Sequence, residues 1–410
     1  MRPVSEAPHA RIIAGTPAFR RINIAIFACG FSIFALLYSV QPILPLFTQE
    51  FGVSAAESSL ALSLTAGAMA LSMVFAGSAS EVVGRKSMML GALIASSLLT
   101  LALAFVSDWN HVLWLRALAG IALSGAPSVA LAYLAEEMEP KAVAPAVGLY
   151  IGGSAFGGMS GRLVVAALAD YGSEIGAGLS SWRLAMAGLA ITGLVSALIF
   201  WRALPASRHF SARTPNFGKL VASLGVCARN PGIAVLLIAG FLMLGSFMTV
   251  YNYLGFRLQG EPFLLSQSAA GLVFLAYPMG SLASAVMGAQ ASRFGRGPVF
   301  TACVLVMIFG LALTIPDRLG FVIAGLLVMT FGFFGAHAIA SSWAPAMVAQ
   351  DKAQASSLYL LSYYVGGGVA GTAGGLFWDS YGWLGVSVFS GAMMLCILGV
   401  AIALTRMNRD

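Results

Sequence analysis

Charge is what this sequence has least of. Only 9% of its 410 residues are charged, and 59% are hydrophobic, where a soluble domain carries about 25% charged residues. Water cannot be its main solvent. Acids are the scarcest: 15 Asp and Glu stand against 22 Lys and Arg, and all of the acids can be placed in loops or at the ends of apolar runs. The interior therefore offers no evident carboxylate to carry a proton. The cysteines Cys29, Cys227, Cys303 and Cys396 show no paired spacing, which argues against a disulfide framework or a zinc site. A Walker loop, H-E-x-x-H and G-x-S-x-G are missing, as is any polar stretch long enough for a soluble signalling domain. No enzyme, metal or cofactor is implied, and a sensor is disfavoured. The net charge of +7 sits in short loops and forms no basic face for nucleic acid.

What fills the chain instead is apolar windows, each near the roughly 20 residues that span a bilayer core. Read between polar breaks, they fall near Ile22–Phe47, Ala56–Ser80, Ser87–Val106, Val112–Ala135, Val143–Ala169 and Trp182–Trp201. They resume near Gly232–Phe256, Ser268–Ala289, Val299–Ile315, Leu319–Val348, Ser356–Trp378 and Trp383–Leu404. This predicts an all-α integral membrane protein of twelve transmembrane helices. The first run follows a basic tail and is too long for a signal core, so it is expected to remain as a span. Residues 1–202 form a first six-helix unit, 203–231 a linker and 232–410 a second unit. Within the linker, Asn216–Ala228 has the pattern of an amphipathic surface helix.

Basic residues give an orientation. The tails, the even-numbered loops and the linker hold about 17 Lys or Arg, and the odd-numbered loops about 3, namely Arg183, Arg257 and Arg318. The rule that positive loops stay inside puts both termini in the cytoplasm. The halves also repeat. GSASEVVGRK from Gly77 matches GAQASRFGRG from Gly288, and Leu149, Tyr150, Gly157, Gly158 and Asp170 match Leu358, Tyr359, Gly366, Gly367 and Asp379. Two matches at offsets of about 210 residues, in equivalent places, indicate a duplicated six-helix unit.

The string Gly77, Glu81, Gly84, Arg85, Lys86 resembles the signature loop of the major facilitator superfamily, G-x-L-A-D-R-x-G-R-K, with a weaker copy from Gly288 to Arg296. Twelve spans and a central linker extend the resemblance over the whole chain. The strings VQPILPLF, RALAGIALSG, GGMSGRL and QASSLYLLSYY look like the YnfM-type transporters of bacterial inner membranes, a group placed with sugar and drug exporters. The resemblance implies a monomeric secondary transporter in the inner membrane that binds a small-molecule substrate and exchanges it for protons. It also makes the loop a cytoplasmic latch. Glu81 holds the acid position, Val82 replaces the usual Arg, and the second copy has Ser292 but keeps Arg293 and Arg296. The two incomplete copies are expected to complement each other across the cytoplasmic gate; the bland alternative is that these bases only hold topology.

Small residues recur every four positions at Gly153, Gly157 and Gly161 and at Gly367, Gly371 and Gly375, as helices in close contact require. The first ridge resembles the glycine motif of facilitator antiporters, with Gly158 where that motif has Pro. Arg116 begins RALAG, which resembles a fourth-helix motif whose Arg is linked with proton coupling; Tyr38 and Gln41 are its expected neighbours. Arg162 either snorkels to the outer interface or faces the cavity. An organic-anion carrier using both arginines is the alternative reading. His337 is the one buried group whose ordinary pKa of about 6.5 suits proton exchange, against the commoner role of hydrogen-bond partner. Glu136, Glu50 and Glu57 are further candidates for the proton. Tyr38, Gln41, Arg116, Tyr150, Ser154, Asn252, Tyr277, His337, Tyr359 and Tyr363 are the expected cavity lining, with Tyr359 and Tyr363 on one helix face. Tyr251 to Tyr253, near a helix end, also fit the pattern of interfacial anchors.

Overall fold

A computed structural model of the protein describes residues 11–175, 180–210 and 217–407. Arg2, Arg213 and Arg409, counted above for orientation, and Asn216, the expected start of the linker helix, lie outside the described residues. Among the described residues, eleven helical runs are long and apolar enough to cross a membrane: Pro17–Phe51, Ala55–Val83, Arg85–Leu103, Trp109–Glu137, Pro140–Tyr171, Ser181–Ala203, Pro231–Gln259, Gln267–Phe294, Arg296–Leu313, Leu319–Met347 and Lys352–Leu404. The last is 53 residues long and is broken at Gly382, whose φ of 57° and ψ of −142° are not helical. It makes the eleventh and twelfth crossings.

The helix starts carry local signals. Thr16 caps the first span ahead of Pro17, Ser54 and Glu57 form a reciprocal capping box on the second, and Asn230 caps the seventh ahead of Pro231. Each satisfies amide donors that a helix N-terminus leaves free. In lipid every backbone group needs a partner inside the protein, so breaks within spans are informative. The first span breaks after Tyr38, passing through a 3₁₀ turn at Gln41–Ile43, because Pro42 and Pro45 cannot donate to the preceding turn.

The duplication is visible in the backbone. Gly84 (φ 94°, ψ 141°) and Gly295 (φ 87°, ψ 153°) each end one span and open the next. Left-handed φ values of this kind favour glycine. Packing repeats as well: a Cβ on Gly157 would lie 2.0 Å from the Phe31 carbonyl oxygen, and one on Gly366 would lie 2.1 Å from that of Phe241. The fifth span is thus pressed against the first as the eleventh is against the seventh, backbone to backbone, which is how helices gain contact where lipid supplies no hydrophobic drive. Gly153 and Gly161 extend the first contact to Phe27 and Ala35; in the second, Gly367 meets Leu244 and Gly371 meets Met248, while Gly375 meets Ala56 of the other half. Large apolar side chains such as Trp114, Leu198, Ile238 and Leu395 stay exposed on the outer surface, where a bilayer would cover them.

Between the halves, Phe217–Ala228 forms a 12-residue helix. The chain leading to it is held against the first half: buried Glu137 accepts hydrogen bonds from the Arg208 and His209 amides at 2.7 and 2.9 Å, and Lys86 donates to the carbonyls of Trp201 and Leu204.

Candidate solute site between the halves

The two halves meet at one end. The end carrying the first and last described residues is the near end, and the hydrogen bonds that join the two bundles lie toward the other, far end. Ser59 donates to Thr372 Oγ1 at 3.1 Å and Thr372 donates to Ser63 Oγ at 2.7 Å. Gln267 donates to the Pro42 carbonyl at 2.6 Å, and Gln41 to Asn252 Oδ1 at 2.8 Å. The Asp170 carboxylate accepts from the Ser268 amide at 3.1 Å, at the N-terminus of the eighth span. Its counterpart Asp379 lies against the Ala55 and Ala56 amides, at the N-terminus of the second. Each half therefore supplies an acid to a helix start in the other, where a negative group is favoured. Small residues complete the seal, with a Cβ on Gly375 only 2.3 Å from Ala56 Cα and one on Gly271 2.5 Å from Ala166 Cβ.

Between this seal and the near end, aromatic side chains from both halves converge. Tyr38 and Tyr150 come from the first half; Tyr277, His337, Tyr359, Tyr363 and Tyr364 come from the second. Tyr38 lies within electrostatic reach of Tyr364 and Tyr277, and Tyr363 within reach of Tyr38 and Tyr359. His337, half-buried, places Nδ1 3.1 Å from the Tyr359 hydroxyl and stacks on Tyr363 with centroids 4.3 Å apart. Ser154 bonds the Tyr150 carbonyl. The Tyr150 hydroxyl, near Ser154, and the Tyr277 hydroxyl, near Arg162, make no hydrogen bond of normal geometry. Such a cluster offers flat apolar faces and free hydroxyls to an amphiphilic solute.

Several expected residues sit elsewhere. Arg116 is 1% exposed and is spent on backbone: Nε donates to Ala61 O at 3.0 Å, Nη1 to Leu36 O at 3.2 Å, Nη2 to Leu37 O at 2.7 Å. Leu36 O and Leu37 O lie at the break after Tyr38, and Ala61 O lies within the second span, where Thr65 Oγ1 donates to it as well. All three guanidinium nitrogens are engaged, Nη1 also reaching Ser39 Oγ at 3.4 Å. Glu136 is paired with Arg85 at 2.7 Å, and Glu57 is used in its capping box, while Glu50 pairs with Arg183 at 2.9 Å. The latch expected across the gate is also missing from this conformation. Arg85 bonds Glu136, Gly77 O and Ser80 within its own half, and among the described residues no ion pair joins Glu81 to Arg293 or Arg296. Tyr251 and Tyr253 are not interfacial anchors: both are buried, bonded to Thr330 Oγ1 at 2.7 Å and to Gly371 O at 2.9 Å.

The Arg85 pairing gives a direct prediction. Glu136→Gln should lower stability by about 1–2 kcal/mol, less than a fully buried pair because Glu136 is 30% exposed on its side chain. Thermal unfolding in detergent reads it; an unchanged melting temperature together with loss of gradient-driven flux would instead restore Glu136 as a proton carrier.

Sequence reasoning passed over one residue and left another between two places. Helical spacing singles out Tyr359 and Tyr363 and passes over Tyr364, although an adjacent tyrosine in the same span is itself a signal. Arg162 does not snorkel: it is 0% exposed and turned into the seam, donating to Gln41 Oε1 at 2.7 Å.

Comparison with known proteins agrees with this architecture. Residues 26–265 match the model of the Major Facilitator Superfamily. The chain is 43% identical over 402 residues to the inner membrane transport protein YnfM of Escherichia coli (strain K12), covering 98% of this chain and 94% of that one. It is 41% identical to the MFS-type transporter YybF of Bacillus subtilis (strain 168), covering 96% and 95%. Among solved structures, a bacterial homologue of the human lysosomal transporter Spinster, in an inward-facing and occupied conformation, superposes with a TM-score of 0.78 at 14% identity, over 96% of this chain and 98% of that one. The nucleoside transporter NupG gives 0.72 at 14% identity over 94% and 99%. The chain therefore belongs to the Major Facilitator Superfamily, a multi-pass membrane transporter of a solute and not an enzyme.

Proposed function

We propose that the protein is a monomeric secondary active transporter of the bacterial inner membrane, exporting a small organic solute such as a drug, sugar or metabolite in exchange for protons. Residues 1–202 and 232–410 rock as two bodies about the tyrosine cluster, and 203–231 tethers them on the cytoplasmic side, where both termini lie. The observation that carries this reading is the placing of the bonds between the halves at the far end, which makes the structure one partner of an alternating pair. The basic near-end loops support the cytoplasmic assignment of that end. His337 is the proton carrier in this reading, since its imidazole meets a tyrosine hydroxyl inside the cluster and no ion pair involving a carboxylate reaches the cluster among the described residues.

The test is flux of a compound panel in proteoliposomes with and without an imposed pH gradient. Wild type should concentrate its solute when the gradient is present, and His337→Gln should keep downhill exchange while losing the response to the gradient. A response that survives the substitution removes His337 from the mechanism, and flux indifferent to every gradient removes proton coupling.

A further inference from the structure

Arg162 stands apart from the other buried cations of the spans. Arg85 and Arg257 each meet an acid, as does the half-buried Arg183, and Arg116 meets three carbonyls. Arg162 is 0% exposed, and no ion pair with an acid is found for it among the described residues. Its Nε reaches Gln41 and its Nη1 the Gly158 carbonyl at 2.6 Å, but Nη2 makes no hydrogen bond of normal geometry, with the Tyr277 hydroxyl close to the guanidinium. Instead the guanidinium lies against three rings: Tyr38 at 4.0 Å, Tyr277 at 4.6 Å and Phe274 at 5.0 Å from the centroids. Ring faces compensate a desolvated cation only in part. Tyr38 belongs to the first half, whereas Phe274 and Tyr277 belong to the second, so the cage is closed by the same seam that closes the far end.

We infer that Arg162 anchors an oxyanion of the transported solute, a carboxylate or phosphate monoester, which enters between the guanidinium and the second-half rings as the halves part. The planar fork suits such a group: Nη2 and the neighbouring Tyr277 hydroxyl make no hydrogen bond of normal geometry, and both can turn their donors to an oxyanion. Gln41 holds the fork from behind through a bond within the first half, and its amide also bonds Asn252 across the seam while the far end is closed. In the closed conformation the rings stand in for the missing anion. Parting the halves uncovers an unpaired cation, and an anion that binds there favours the open state by its differential affinity.

This inference rests on the transport reading, and its test separates the two. Full-length protein in detergent is titrated with benzoate, gluconate and glycerol 3-phosphate and with their neutral counterparts benzamide, glucose and glycerol, reading thermal stability. At least one anion should stabilise wild type where its neutral counterpart does not. Arg162→Gln should weaken that anion about tenfold or more, and Arg162→Lys, charged but lacking the fork, should fall between. Tyr277→Phe keeps the ring and should cause a smaller loss, which keeps the test decisive if the arginine variants fold poorly. Stabilisation by no anion, equal stabilisation by the neutral partners, or unchanged affinity in these variants overturns the site. Flux of the same compounds in proteoliposomes then judges the other reading: Arg162-dependent binding without flux overturns transport, whereas equal flux of a neutral compound through wild type and Arg162→Gln overturns the anion anchor and leaves transport standing.

Discussion

Arg116→Leu is expected to lower the stability of the folded protein by about 1–3 kcal/mol. The substitution removes the guanidinium from Ala61 O, Leu36 O and Leu37 O together; Thr65 and Ser39 hydroxyls still donate to the first two, and a buried acceptor left unsatisfied, as Leu37 O would be, costs about 1–3 kcal/mol. Removing a buried charge offsets part of that cost. Water does not fill the gap, since the site is 1% exposed and packed between the first, second and fourth spans. Arg116→Lys should recover only part of the loss, because an ammonium cannot reach three carbonyls that a planar fork meets at once. Thermal unfolding and yield of monodisperse protein measure both variants. The family resemblance points to proton coupling for this residue; in that case the lysine variant would keep wild-type stability and lose only gradient-driven flux.

Gly375→Val should open the far end. Its Cβ would fall 2.3 Å from Ala56 Cα and 2.5 Å from Ala56 Cβ, and those atoms cannot swing aside as a side-chain tip does. Overpacking of this kind costs about 1–3 kcal/mol, which is about a tenfold to hundredfold shift away from the closed seam. A cysteine pair at Ser59 and Thr372, whose hydroxyls are 3.1 Å apart, should cross-link readily in the parent protein and poorly in the Gly375→Val background, with flux reduced in parallel. Undiminished cross-linking would show that the seam repacks around the added methyls. Gly157→Val makes the contrasting case. Its clash is with the Phe31 carbonyl inside one half, so it should lower folded yield instead of shifting conformation.

The architecture was legible from the sequence because membrane spanning is written in long apolar runs and because duplication left two matching strings. Gly84 and Gly295 even predict each other's backbone. The site was legible only as composition. Tyr38, Tyr359, Tyr363 and His337 stand out because polar groups are rare in spans, and the structure brings them together. What the pattern could not supply was the direction of each side chain at the seam. Arg116 and Arg162 look equivalent as buried bases, yet a break in the first span absorbs one and leaves the other unpaired. The break itself was announced by Pro42 and Pro45, but which arginine would reach its carbonyls depends on how three helices pack.

The swapped aspartates bear on how this seam gives way. Asp170 and Asp379 each serve a helix that belongs to the opposite bundle, so neither bundle holds its own second span in a finished state. Separation strips both helix starts at once, and water entering the cleft must solvate both. Unfastening is then a paired event with a shared threshold, and the far end opens by one cooperative parting and not by leakage at either margin.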